Sequence, residues 1–251
     1  MDKKEIVKRF DEEKGSWRRL HKKGKASTAI ELEVQRRSSL VYASLKGKGR
    51  ISVLDVGCGS GENLGGLREL NPTGRFYGVD ISRKMIEYAK KRHKGVDFSV
   101  SDIEKEEPFF DVKFDAILLM GVTPYLSDMN GTVLRLSRRL KRGGMIFLTY
   151  SDKRSFILRL KMAVLSILAS GPILSILNVF RKSKLRPEMS RLNSFSRDEI
   201  KNAFKHAGMR LISSHEILFS TGLLGRLART EEGFWKLFRA RGNVLLEEYG
   251  R

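Results

Sequence analysis

Cysteine is nearly missing from this chain of 251 residues: Cys58 stands alone, so no intrachain disulfide can form and a reducing cytoplasm is the expected compartment. Histidine is scarce too, and none of His21, His93, His206 and His215 lies near a cysteine or an acid at metal-ligand spacing, so no metal is expected. The start, Met1-Asp2-Lys3-Lys4-Glu5, is followed by no apolar run, and no secretory leader is expected. Disorder throughout is excluded by an apolar fraction of 41%, enough for one large domain at this length.

Positive charge is abundant instead. The formal net charge of +20 is unevenly spread: residues 1–50 carry +8, residues 51–150 only +2, and residues 151–251 +10. A nearly neutral centre between two basic flanks suits acidic partners such as nucleic acid, an anionic membrane or an anionic substrate, or a well-solvated basic surface.

From 51 to 150, short apolar runs alternate with amphipathic stretches. Residues 51–56 read as a buried strand, and Leu64, Leu67 and Leu70 mark a helix stopped at Asn71-Pro72. Residues 76–80 are a second strand, followed by a helix capped by Ser82. Further strands are expected at 96–100, 114–120 and 145–150. The helix before the last of these carries Val133, Leu134, Leu136 and Leu140 and is expected to stop at Gly143-Gly144. This rhythm predicts an α/β fold, a parallel sheet with helices on both faces. Residues 1–48 read as a helical preamble carrying Phe10, Trp17, Leu20 and Ile30. Ser196 and Glu199 form a capping box opening a helix over 196–207, and 209–219 is a late strand.

The sharpest signal is Asp55-Val56-Gly57-Cys58-Gly59-Ser60-Gly61, between a strand and a helix. Glycines there let the chain turn tightly and let a ligand approach the backbone. A dinucleotide loop needs its third glycine at 62, where Glu62 stands and would repel a pyrophosphate, so NAD and FAD are disfavoured. Asp80 closes the second strand, where an acid can accept both hydroxyls of an unphosphorylated ribose. Asp102 follows the third, placed to meet an adenine amine while Ile103 covers the ring.

These residues resemble the S-adenosylmethionine-binding core of class I methyltransferases. The glycine motif is matched by residues 53–61, the ribose acid by Asp80 in Gly78-Val79-Asp80-Ile81-Ser82 and the adenine-side acid by Asp102. Phe114-Asp115-Ala116-Ile117 matches the fourth-strand signature, and Leu140-Lys141-Arg142-Gly143-Gly144 the approach to the fifth. The resemblance implies a Rossmann-like sheet of seven strands, mostly parallel, whose last pair, 209–219 and 243–248, is antiparallel. It implies S-adenosyl-L-methionine as cofactor, held by Asp55, Gly57, Cys58, Gly59, Gly61, Asp80, Ile81, Asp102, Ile103 and Met120. One methyltransferase domain is expected over 1–251: preamble 1–48, cofactor core 49–151, apolar helical insertion 152–190 and C-terminal part 191–251.

Transfer from a sulfonium is an in-line displacement, so alignment in a dry pocket does most of the work, and a base is needed only for a hydroxyl acceptor. No catalytic residue is assigned. Met120-Gly121-Val122-Thr123-Pro124-Tyr125 lacks the Asn/Asp-Pro-Pro-Tyr motif of base-amine methyltransferases, and buried Cys58 excludes attack at pyrimidine C5. Residues 162–180 hold no charge but are broken by Gly171-Pro172, which suggests two short apolar helices between basic clusters. They form a lid over a small-molecule or lipid-like acceptor, a peripheral contact with an anionic membrane through 155–186 at its inner face, or both. The layout resembles ubiquinone-type O-methyltransferases and magnesium-protoporphyrin methyltransferases. An RNA methyltransferase using the basic flanks, and a non-catalytic binder of the cofactor, are the alternatives; no recognisable RNA-binding module appears.

Overall fold

The computed structural model describes residues 2–20, 29–154, 192–218 and 244–251. Two helices precede the sheet, α1 (Lys3–Leu20) and α2 (Ala29–Leu45). The alternation then runs β1 (Ser52–Val56), α3 (Glu62–Leu70), β2 (Arg75–Asp80), α4 (Arg83–Arg92), β3 (Asp97–Val100) and β4 (Phe114–Leu119). After it come α5 (Met129–Arg138), β5 (Leu140–Ser151), α6 (Arg197–His206), β6 (Arg210–Leu218) and β7 (Val244–Gly250).

The seven strands form one sheet in the order β3-β2-β1-β4-β5-β7-β6. β7 is antiparallel to both its neighbours, while β1 to β5 pair in parallel. Because the order reverses between β1 and β4, loops leaving their carboxyl ends part and open a crevice. Val53, Ala116, Ile117 and Leu118 are fully buried, as central strands covered on both faces require. On one face Val41, Leu64, Leu67, Ile86 and Ala89 bring α2, α3 and α4 against the sheet. On the other, Val133, Leu136, Ile200 and Phe204 do the same for α5 and α6, with Phe204 stacked on Tyr249 of β7 at 3.6 Å between centroids.

Local chemistry starts the helices where expected. Ser82 accepts from the Met85 N–H, Asp128 accepts from the Gly131 N–H, and Ser196 and Glu199 complete a capping box. Four expectations change. The helix expected to reach Leu140 ends at Arg138, and Leu140 already pairs with Phe114. Gly143 and Gly144 then sit in a bulge inside β5 rather than ending a helix: Met145 is the next residue in register, with Ala116. A Cβ on Gly144 would stand 3.0 Å from the carbonyl oxygens of Lys141 and Phe114, which explains the glycine there. Leu70 and Leu134 are exposed instead of buried. The last strand extends to Gly250 because its pairing continues to Arg210 and Met145.

The apolar insertion lies outside the described residues over 155–191, and so do His21, Phe219, Asn243 and the side chains of Trp17, Leu20 and Ile30. Among the described residues no helix is long and apolar enough to cross a membrane.

Candidate functional site

The bend after β1 is built by glycine geometry. Gly57 (φ 70°) and Gly59 (φ 52°) both take left-handed backbone, which a side chain disfavours. The amides of Gly57 and Cys58 donate to the Val79 carbonyl at 2.8 and 3.0 Å, tying the bend to β2. Space differs between the two glycines. A Cβ on Gly57 would meet Val122 at 2.9 Å, whereas one on Gly59, which lines the cleft, would meet nothing within 4 Å.

Asp80, at the tip of β2, holds the bend in place. Its Oδ2 accepts the Gly59 N–H at 2.9 Å and its Oδ1 accepts the Ser82 N–H at 2.8 Å, leaving lone pairs on both oxygens. Burial pushes its pKa up against these donors. Asp102, beyond the tip of β3, accepts from the Lys3 ammonium (2.6 Å) and from the Glu104 N–H (3.2 Å). Lys3 reaches Glu104 as well, at 2.5 Å; burial lowers the pKa of its ammonium, and the two carboxylates more than reverse that.

Through Lys3 the first helix becomes a roof. Ile6 is buried beneath α1, Asp11 accepts the Ser82 hydroxyl at 2.5 Å, and Phe10 meets Tyr125 edge-on with centroids 5.2 Å apart. Opposite, the turn after β4 is pinned by Thr149, whose hydroxyl accepts the Gly121 N–H at 2.7 Å and whose carbonyl accepts the Thr123 hydroxyl at 2.6 Å. Val122, Tyr125 and Leu126 thereby face the cleft.

Of the ten residues expected to hold a cofactor, Gly57, Cys58, Gly59, Asp80, Ile81, Asp102, Ile103 and Met120 line this one cleft. Gly61 and Asp55 do not. Gly61 turns its α-carbon toward Phe98 and His93, where a Cβ would come within 3.0 Å, so its lack of a side chain serves the packing of α3. Asp55 is buried behind the bend, 3.4 Å from the Asn63 amide, and burial lifts its pKa to about 7. Cys58 is likewise buried, and burial pushes its thiol pKa well up, which leaves it no thiolate. Neither His93, His206 nor His215 lines the cleft.

The sequence reading missed Arg37 and Asn63. Arg37 on α2 lines the cleft with 6% exposure, forms an ion pair with Glu33 at 3.7 Å, and its buried Nε has no hydrogen-bond partner. The only available signal was an arginine on the inward stripe of a helix, and Arg36 beside it hides that stripe. Along the sheet the cleft is thus a ladder: Asp102 at β3, Asp80 at β2, the glycine bend at β1 and an apolar wall at β4, with Arg37 against Gly121 and its Nε without a hydrogen-bond partner.

A switch-point cleft with a glycine bend and acids at two successive strand tips defines a Rossmann-like, class I S-adenosylmethionine-dependent methyltransferase. A family model described as a methyltransferase domain matches residues 48–208, and the chain belongs to that family. Malonyl-[acyl-carrier protein] O-methyltransferase of Acetivibrio thermocellus is 36% identical over 104 residues, 41% of this chain and 36% of that protein. Demethylmenaquinone methyltransferase of Staphylococcus aureus is 28% identical over 161 residues, 62% of this chain and 66% of that protein. The matches thus span from about a third to two thirds of these relatives' own lengths. In fold, the chain is similar to a magnesium protoporphyrin IX methyltransferase from Synechocystis with bound SAH. That likeness has a TM-score of 0.66 at 17% identity and covers 100% of both chains.

Proposed function

We propose that this chain transfers a methyl group from S-adenosylmethionine to a small acceptor with an apolar body. The cofactor supplies an electrophilic methyl on a sulfonium, a good leaving group. The residues present fit its polar ends in order. Asp102 would take the adenine amine, Asp80 the ribose hydroxyls through its spare lone pairs, and Arg37 the amino-acid carboxylate. The unpartnered, buried Nε of Arg37 is the observation that carries this reading, since such a donor calls for an anion. Asn63, whose amide is held 3.4 Å from the buried Asp55, lines that end of the cleft for the ammonium.

For the acceptor, the wall beyond Met120 offers Phe10, Val122, Tyr125 and Leu126. Such a wall aligns a flat or aliphatic body and keeps water out, which suits a displacement needing orientation more than proton transfer. The carboxylates on the cleft are engaged, Asp80 by two amides and Asp102 by Lys3. A hydroxyl acceptor would therefore arrive already ionised, and one acidic enough to do so, phenolic or enolic, fits best. The relatives named for acyl-carrier-bound and quinone acceptors support this class over RNA.

The test is transfer of labelled methyl from the cofactor into cell extract split into lipid, small-molecule, RNA and protein pools, beside calorimetry of cofactor binding. Label in an organic-soluble small molecule is the expected result. Label confined to RNA or protein rejects the acceptor class, and absence of cofactor binding rejects the whole reading.

A further inference from the structure

Each helix on the sheet hands over to the next strand at the end opposite the cleft: α2 to β1, α3 to β2, α4 to β3, α5 to β5 and α6 to β6. β7 also finishes there, with Gly250 paired to Met145 and Arg210. This basal end collects an excess of positive charge. Across the sheet stand Arg75 at the start of β2, Arg50 before β1, Lys113 before β4, Arg142 in the bulge of β5, Arg251 after β7 and Arg210 at the start of β6, all exposed. Against them are Glu69, Asp97, Glu107, Asp111 and Asp115; Lys141 already engages Asp115 at 2.7 Å, and Arg139 engages Glu107 at 3.9 Å. Helix dipoles account for further cations such as Lys90 and Lys91 at the end of α4. Lys113 likewise donates to the Arg138 carbonyl at the end of α5, at 2.6 Å. Helix ends do not account for the other five, which sit at strand ends and turns.

A second observation falls on the same end. Among the described residues four large apolar side chains are exposed, and three of them are here: Leu70 (61%) closes α3, Phe110 (78%) precedes Lys113 by three, and Ile212 (53%) follows Arg210 by two. Ile212 lies beside Gly250, whose ideal Cβ would come 2.5 Å from its Cδ1, and so next to Arg251. Leu70 adjoins Asn71, which donates to the carbonyls of Lys48 and Gly49 just ahead of Arg50. Protruding apolar side chains among cations match an anionic bilayer, which offers headgroup phosphates above an apolar interior. A nucleic-acid strand would ask for stacking platforms, and of these three side chains only Phe110 is aromatic.

We propose that the basal end docks this protein on an anionic membrane, the cations on the headgroups and Leu70, Phe110 and Ile212 in the headgroup boundary. The cleft opens at the other end, so docking leaves the cofactor free to exchange. The described residues flanking 155–191 and 219–243 also lie at the cleft end, beyond β5 and at the joined tips of β6 and β7. The proposed surface uses none of the residues 155–191.

Cosedimentation of the full chain with vesicles decides it: phosphatidylcholine alone, and phosphatidylcholine with about a third phosphatidylglycerol. Binding is expected only to the anionic vesicles and is lost at high salt. The triple variant R50E/R142E/R251E should weaken it at least about a hundredfold, at roughly fivefold or more per charge removed near the surface. L70S/I212S should weaken it severalfold, and calorimetry should show cofactor affinity unchanged in both variants. Equal binding to both vesicles would overturn the proposal, as would full binding by R50E/R142E/R251E. So would dependence on the insertion alone, seen as loss in R159E/K161E/R181E/K182E with no loss in the basal variants. Tight RNA binding indifferent to L70S/I212S, in place of vesicle binding, would overturn it too. Salt titration of the unaltered chain probes the docking without relying on any variant's folding: vesicle binding insensitive to salt contradicts it.

Discussion

Lys3 Nζ lies 2.6 Å from Asp102 Oδ1, so the first turn of α1 is fastened to the tip of β3 across ninety-nine residues of chain. The same ammonium neutralises Glu104, and the roof of the cleft hangs on this contact and on the Asp11–Ser82 hydrogen bond. Replacing Lys3 with Met should speed cofactor dissociation about threefold to tenfold, the scale of a partly buried ion pair. Stopped-flow dissociation read at low and high salt checks it: the unaltered protein should lose retention as salt rises, and the variant should be indifferent.

Asp80 both shapes the glycine bend and presents its lone pairs to the cleft. Asp80→Ala should therefore reduce cofactor affinity by at least about a hundredfold, the loss of two or more charge-assisted hydrogen bonds. Calorimetry reads the affinity, and circular dichroism should show the sheet intact.

Gly59→Ala separates space for the protein from space for the ligand. Nothing in the protein stands within 4 Å of the new methyl, so only the left-handed backbone penalty applies, about 1–2 kcal/mol in urea unfolding. Cofactor affinity should fall more than tenfold, because the methyl occupies the cleft. A variant that binds as well as the parent would mean the cofactor lies elsewhere.

Asp55 makes stability depend on pH. Its pKa rises on folding from 3.8 to about 7, so folding favours the protonated form. The penalty is absent below about pH 4, grows as pH climbs and is complete above about 7. Asp55→Asn should raise the urea midpoint at pH 8 more than at pH 4, flattening the difference between them. An unchanged difference would place the proton on another group.

Glu247 is wholly buried and relies on Arg197 Nε at 3.0 Å, with the Tyr249 hydroxyl donating at 2.6 Å. Arg197→Met leaves that charge uncompensated and should cost about 3–5 kcal/mol, with Arg197→Lys recovering part. Chemical denaturation measures both.

What was legible in the chain alone followed from local rules. Alternating apolar runs announced the strands because side-chain period and burial are local properties, and Gly57, Gly59, Asp80 and Asp102 announced the cleft because each sits at a strand tip fixed by its neighbours. Gly143 and Gly144 misled for a related reason: paired glycines stop a helix or make room in a bulge, and only the register of β4 against β5 chose the bulge.

The three-dimensional arrangement decided the rest. Arg36 and Arg37 are adjacent and chemically alike, yet Arg36 donates to the Ile217 carbonyl at 3.0 Å at the sheet edge, while Arg37 points into the cleft. A helix turns about 100° per residue, so which of two neighbours meets the site depends on how α2 lies on the sheet, and no local pattern encodes that. The gathering of cations at the base is the same kind of fact. The chain sets its charge, and only the direction of strands and helices brings Arg50, Arg142, Arg210 and Arg251 to one end.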